Sequence, residues 1–377
     1  MQSSKGKWSL FIIVIVIIIV IAVVANKSFS SSTIKIGAMY PLTGGLATYG
    51  EPSQKTAQLA VDDINAAGGI NGKKLEVVFQ DHKCDPKAAV SALQQLTGSG
   101  IRVFTSGACT GTVLAMEPIL QSTDSVLVGS TLSGSKISSS SPNVFRNWGQ
   151  DINEAKLFAD TIKQAGYKKV AVIYEETDYA KGLEVALENY LKGTSVKVSS
   201  ESFTTGATDI RTQLTKLKGG NPDLLFVSPQ TVTSGEVVLS QMEELKFSPA
   251  RIFVNDNVIK SADLVSKHAK ILQGALGGDY VIAQNDKLAA VLQKYKTNYG
   301  EDCPQTNICA AVYDTIYLLA GAIKSQDYNA AAIQSYLKTV NYDGVSGSIS
   351  FDASNDRSNT AYSLFQVKDG KAVIYQQ

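Results

Sequence analysis

Histidine is nearly absent from this sequence: His82 and His268 are the only two in 377 residues. Most nucleophile-activating pairs and many metal centres rely on imidazole, so the scarcity narrows the chemistry at once. His82 follows an apolar run and His268 sits in the polar stretch "SADLVSKHAK", and neither setting marks a catalytic base. Cysteine is sparse as well. Cys84, Cys109, Cys303 and Cys309 lack the close paired spacing of structural zinc sites, and no histidine pair accompanies them. An excess of charge is also missing. The 35 Lys and Arg nearly balance the 34 Asp and Glu, with no basic block, so there is no electrostatic footprint for nucleic acid. Neither a P-loop lysine nor a dinucleotide fingerprint occurs. No cofactor, metal or enzymatic activity is expected.

What is present begins with a hydrophobic N-terminus. Lys5 and Lys7 precede "LFIIVIVIIIVIAVVA", an unbroken apolar run from Leu10 to Ala25. As a helix it is about 24 Å long, against a hydrocarbon core of roughly 30 Å. The run fits a retained membrane anchor or a secretory signal with Val23 and Ala25 at the cleavage site. Both readings place the remainder outside the cytoplasm. The segment "NKSFSSSTI" then reads as a short polar tether, so residues 1–32 are set apart as signal or anchor plus tether.

A chain of 377 residues is long for one core and comfortable for two domains. From Ile34 onward short β-rich runs alternate with amphipathic segments. "IKIGAMY" reads as a strand, and Tyr49 to Ala67 as a helix stopped by Gly68-Gly69. "INGKKLEVVFQD" is an Asn-Gly turn feeding a strand. In "CDPKAAVSALQQL" Asp85 caps a helix whose first position is Pro86. The alternation resumes at "KKVAVIYEE" and runs through "SVKVSSESF", "PDLLFVSP" and "ARIFVND". Strand and helix in this order predict an α/β fold: two Rossmann-like lobes, each with a parallel sheet covered on both faces. Ligands of such sheets sit beyond the carboxyl ends of the strands. "TSGACTGT", "GSTLSGS", "YEETDYAKG", "SPQTVTSG" and "VNDNVIK" all fall there.

The loop "TSGACTGT" admits three jobs. Cys109 could be a nucleophile, the loop could cradle an anion, or Cys109 could be half of a disulfide. No histidine is placed to activate it, which disfavours the first. In an exported chain four cysteines suggest two disulfides, with three possible connectivities. Cys303 and Cys309 enclose only "PQTNI" and suit a local bond, which leaves Cys84 to Cys109. The cradle reading is compatible with that bond, because the amides opening at Thr110-Gly111-Thr112 attract a negative group the size of a carboxylate.

The stretch "YGEPSQKTAQLAVDDINAAGGINGKKLEVVFQDHKCDPKAAVSALQQL" resembles the periplasmic substrate-binding proteins of bacterial ABC importers, in the family of the leucine/isoleucine/valine-binding protein. The run "DINAAGGINGKKLEV" followed by "CDPKAA" carries most of the likeness, which extends from Ile34 to the C-terminus and thins after residue 200. The resemblance implies a clamshell of two lobes joined by a multi-strand hinge, preceded here by the N-terminal hydrophobic helix. Residues 33–150 and about 281–360 would form one lobe, and about 151–280 with 361–377 the other. It also supports the Cys84–Cys109 bond.

Carried over residue by residue, the resemblance implicates Thr110 and Ser133 in holding an amino-acid α-carboxylate. The carbonyl of Thr131 and the side chain of Asp256 would hold the α-ammonium, with Tyr49 and Tyr179 lining the cleft from either lobe. Gln230 stands where relatives place an aromatic residue, and Ala108 where a larger apolar one is common. These departures imply a wider or more polar side-chain pocket. The expected function is non-enzymatic capture of an amino acid, branched-chain or related, or of a small amide, with delivery to ABC permease subunits. A ligand-sensing receptor of the same fold is the alternative.

Overall fold

In the computed structural model, residues 32–138 and 140–376 are described. The N-terminal hydrophobic run lies outside the described residues. Two separate sheets organise the chain. The first contains β1 (Ile34–Tyr40), β2 (Leu75–Asp81), β3 (Val103–Gly107), β4 (Val126–Thr131) and β5 (Val144–Arg146), all parallel in the order β2-β1-β3-β4-β5. The second contains β6 (Lys169–Glu175), β7 (Lys197–Phe203), β8 (Leu224–Ser228), β9 (Arg251–Val254) and β10 (Leu276–Val281). A two-stranded ribbon, β11 (Tyr342–Gly344) and β12 (Gly347–Ile349), stands apart. Then β13 (Ala361–Lys368) and β14 (Lys371–Ile374) complete the second sheet, in the order β14-β13-β10-β9-β8-β6-β7. Only β13 runs against the other strands, pairing antiparallel with β10 on one side and β14 on the other.

The central strands are apolar without alternation because helices cover both their faces. β3, β4 and β8 are buried at every residue. Local signals set the boundaries. Asn71 and Gly72 both adopt positive φ (50° and 74°), the geometry of a tight hairpin turn, and Ile70 pairs with Lys73 across it. Asp85 accepts the Ala88 N–H at 2.7 Å and caps the helix Pro86–Gly98, as the sequence predicts. Thr177 caps Asp178–Leu191 in the same way.

The chain passes between the sheets three times. It leaves the first after β5, returns after β10, and leaves again before β13. The return is what completes the first core. Leu288, Val291, Ile308, Ile316, Ile333 and Leu337 pack with Ile36, Val103 and Val126. The helix Thr306–Gln326 is long and apolar enough to cross a membrane, but 78% of its apolar window is buried in this core. Each fully buried Leu or Ile stabilises by about 1.5–3 kcal/mol, so the second visit is needed to close that lobe. Because the strands of both sheets end toward the crossings, their loops face each other across a cleft.

Candidate functional site

One wall of the cleft is built from the loops after β2, β3 and β4. Cys84 and Cys109 are joined by a disulfide with Cα atoms 5.5 Å apart, and Cys303 pairs with Cys309. Cys109 is therefore not a nucleophile. His82 is fully buried beside the first bond. Its Nδ1 accepts the Cys84 N–H at 3.0 Å, which leaves Nε2–H to donate to the Gly107 carbonyl at 3.1 Å. Burial lowers its pKa to about 4, so it stays neutral and acts as a strut between two loops. Ala108 holds a positive φ of 73° and donates its N–H to the Thr131 carbonyl at 3.1 Å. That bond ties the loop after β3 to the end of β4, and leaves the carbonyl's second lone pair free.

The next loop closes directly on the first. A Cβ at Gly134 would lie 2.2 Å from Thr110 Oγ1, so only glycine lets Thr110 seat there. Arg146, wholly buried on β5, fixes this loop. Its guanidinium donates to the Ser133 and Gly134 carbonyls at 2.9 and 2.8 Å and pairs with Asp356 at 2.6 Å. The Ser133 carbonyl also accepts the Asp151 N–H at 2.9 Å. The hydroxyl-rich wall is thus held together by the protein's own hydrogen bonds.

The facing wall comes from the second sheet. Asp256 follows β9 and opens a short helix capped by Asn255. The Tyr179 hydroxyl donates to Asp256 Oδ1, and the Asn257 N–H donates to the same oxygen at 2.9 Å. Gln230, after β8, is buried; its N–H bonds Glu175 and its carbonyl accepts from Asn257 Nδ2 at 3.0 Å. Tyr49 reaches over from the first lobe to donate to Asn257 Oδ1 at 2.6 Å. With Lys136–Asp178 at 2.6 Å, this contact holds the lobes together. Tyr49, Ala108, Thr110, Thr131 and Ser133 therefore belong to the first wall, and Tyr179, Gln230 and Asp256 to the second.

Three further carboxylates gather here that the sequence reading did not single out. Asp151 and Glu154 lie on the inner face of the helix Asp151–Ala165, at 2% and 1% exposure, and Asp279 lies on β10. The signal was in helical phase. Asp151 and Glu154 share a face with the buried residues Ala155, Phe158, Ala159 and Ile162, where an exposed helix would carry no acid. Burial, with Asp256 adding to it, pushes Asp151 up to about 8. Burial and the same neighbour drive Glu154 well above the carboxylate range. Asp279 rises to about 6 because burial outweighs the pull of Lys260, whose Nζ stands 3.0 Å away. Asp256 is also raised by burial, against the Tyr179 hydrogen bond. Burial and these acids likewise raise the phenols of Tyr49, Tyr179 and Tyr362.

Comparison with known proteins agrees with this architecture. A model of the periplasmic binding protein family matches residues 33–372. The chain belongs to the periplasmic binding protein family. Its members bind solutes outside the cytoplasm and are not enzymes. Over 353 residues the chain is 27% identical to "Leu/Ile/Val-binding protein homolog 3" of Brucella melitensis biotype 1, covering 92% of this chain and 94% of that one. The branched-chain amino acid transporter substrate binding protein LivJ from Streptococcus pneumoniae, solved in complex with isoleucine, superposes with a TM-score of 0.77 at 28% identity. That match covers 91% of this chain and all (100%) of LivJ. A solute binding protein from R. palustris in complex with 4-hydroxybenzoate shares the fold, with a TM-score of 0.79 at 19% identity over 92% of this chain and 96% of that one.

Proposed function

We propose that this periplasmic binding protein captures an α-amino acid between its lobes and delivers it to the permease subunits of an ABC transporter. In this reading residues 33–150 and about 281–360 form one jaw, and about 151–280 with 361–377 the other. The N-terminal hydrophobic run holds the protein at the membrane or exports it.

The observation that carries the reading is the opposed polarity of the two walls. Thr110, Ser133 and the amides beside them offer neutral donors suited to a carboxylate. Asp256, oriented by Tyr179 and the Asn257 N–H, offers an acceptor suited to an ammonium. A zwitterion buried in a closed cleft needs both, because an unpaired buried charge costs several kcal/mol. Ligand favours closure because only then do both walls touch it. The amino-acid relatives named above support the same assignment.

The test is calorimetric titration of α-amino acids into wild type and Asp256→Ala. The variant is expected to bind the preferred amino acid well over tenfold more weakly, since the ammonium loses its partner. Unchanged affinity would remove Asp256 from the site.

A further inference from the structure

The ammonium of an ordinary amino acid does not account for the acids in this cleft. Asp151, Glu154, Asp256 and Asp279 all act on Tyr362 from within it. Among the described residues one cation is tied directly to the group: Lys260, engaged with Asp279 at 3.0 Å and lying over the Trp148 ring. Arg146 lies near Asp151, but its guanidinium is bound to Asp356, Ser138 and the Ser133 and Gly134 carbonyls. Asp151, Glu154 and Asp256 thus share a cleft to which an α-ammonium brings one positive charge.

The buried oxygens sharpen the point. Asp151 Oδ2 and Glu154 Oε1 are both shielded from solvent and have no hydrogen-bond partner. Native proteins satisfy such atoms, and a cluster left unsatisfied inside a binding cleft points to a ligand that completes it. A divalent metal is the wrong shape for the task. Among the described residues no three His, Cys, Asp or Glu side chains converge on a metal position. The carboxylates come from a helix, a strand and the loop after β9, which suits an organic ligand that touches several elements.

We propose that the cleft is specific for an α-amino acid with a basic side chain, one cationic group lying at Asp256 and the other at Asp151 and Glu154. This rests on the amino-acid reading of the site. Gln230, buried in the second wall, puts a polar residue where an aliphatic side chain would need an apolar contact. Protons held on the empty cleft's acids are displaced as the second cation enters, so binding tightens as the pH rises. The groups facing Asp151 and Glu154 in that exchange are Asp256, Asp279, Arg146, Lys260 and the phenols of Tyr49, Tyr179 and Tyr362.

The experiment uses the full chain in mild detergent, titrated with L-lysine, L-arginine, L-leucine, L-isoleucine and 1,5-diaminopentane. Lysine or arginine is expected to bind at least tenfold more tightly than leucine, and Glu154→Gln to shrink that preference at least tenfold. Thermal melts report whether the variant folds; if it does not, the wild-type ratio decides alone. Leucine or isoleucine binding as tightly as the basic amino acids overturns the inference and leaves the amino-acid reading standing. Diaminopentane matching lysine overturns the carboxylate half of that reading and keeps the second cation. Failure of all five overturns both.

Discussion

Raising the pH from about 6.5 to 7.5 should destabilise the ligand-free protein, with Asp151 a main cause. In an unfolded chain an aspartate titrates near 3.9, whereas burial and Asp256 push Asp151 up to about 8 in the fold. Across this window the folded protein holds a proton that the unfolded chain has already released. The stability from such a group is fully present below about pH 3.9 and is lost as the pH rises through about 8. Each proton held this way contributes a slope of about 1.4 kcal/mol per pH unit. Glu154, also raised by burial, acts in the same direction. Groups whose values lie outside the window add little to it. Asp279, at about 6, has released its proton before the window opens. His82, lowered to about 4 by burial, has the opposite slope, but its effect ends near the unfolded value of about 6.5. Glu236 is held near 2, its bonds to Lys267 and His268 outweighing burial, and matters only in acid. Urea unfolding of wild type and Asp151→Asn at three pH values across the window measures this directly. Wild type should weaken steadily, and the variant should weaken less steeply. A flat or rising wild-type profile, or an unchanged slope in Asp151→Asn, would refute the reasoning.

Two other outcomes follow from the walls of the cleft. Removing the Cys84–Cys109 bond, with its sequence separation of 25, should cost about 3.5 kcal/mol in the chain-entropy estimate. Removing Cys303–Cys309, with a separation of 6, should cost about 2 kcal/mol. Denaturant unfolding of the two double-alanine variants ranks them, and the reverse order would show that the loop after β3 is braced mainly by His82. Gly134→Ala places a methyl group 2.2 Å from Thr110 Oγ1. It should destabilise by about 1–3 kcal/mol and weaken ligand binding at least tenfold, measured by thermal melts and calorimetry; wild-type affinity would mean that Thr110 does not touch ligand.

Much of the fold was legible because its signals are local. The Asn71-Gly72 turn, the Asp85 cap with Pro86, and the apolar runs of β3, β4 and β8 all act within a few residues of themselves. The loops that carry Thr110, Thr131 and Ser133 were legible for a related reason, since parallel strands must end in loops on one edge, while the choice of those residues came from the family resemblance. Asp151, Glu154 and Asp279 escaped because each looks ordinary beside its own neighbours. Their meaning comes from partners far away in sequence, such as Glu154 against Gly278. The return of Thr306–Gln326 to the first core was implied by the family resemblance and not by its own residues, since an apolar helix does not announce which sheet it will cover.

By itself the sequence determined the alternation of strand and helix, the edge on which the site would lie, and the cysteines that fasten it. These follow from periodicity, turn chemistry and the short reach of loops. Only the tertiary structure decided the charge of the cleft. Three crossings of the chain bring acids from a helix, a strand and a loop into one buried space, and burial then raises their proton affinity together. Desolvation depends on what surrounds a group in three dimensions, and for Asp151 and Glu154 part of that surrounding, Asp256 and Gly278, lies more than a hundred positions away.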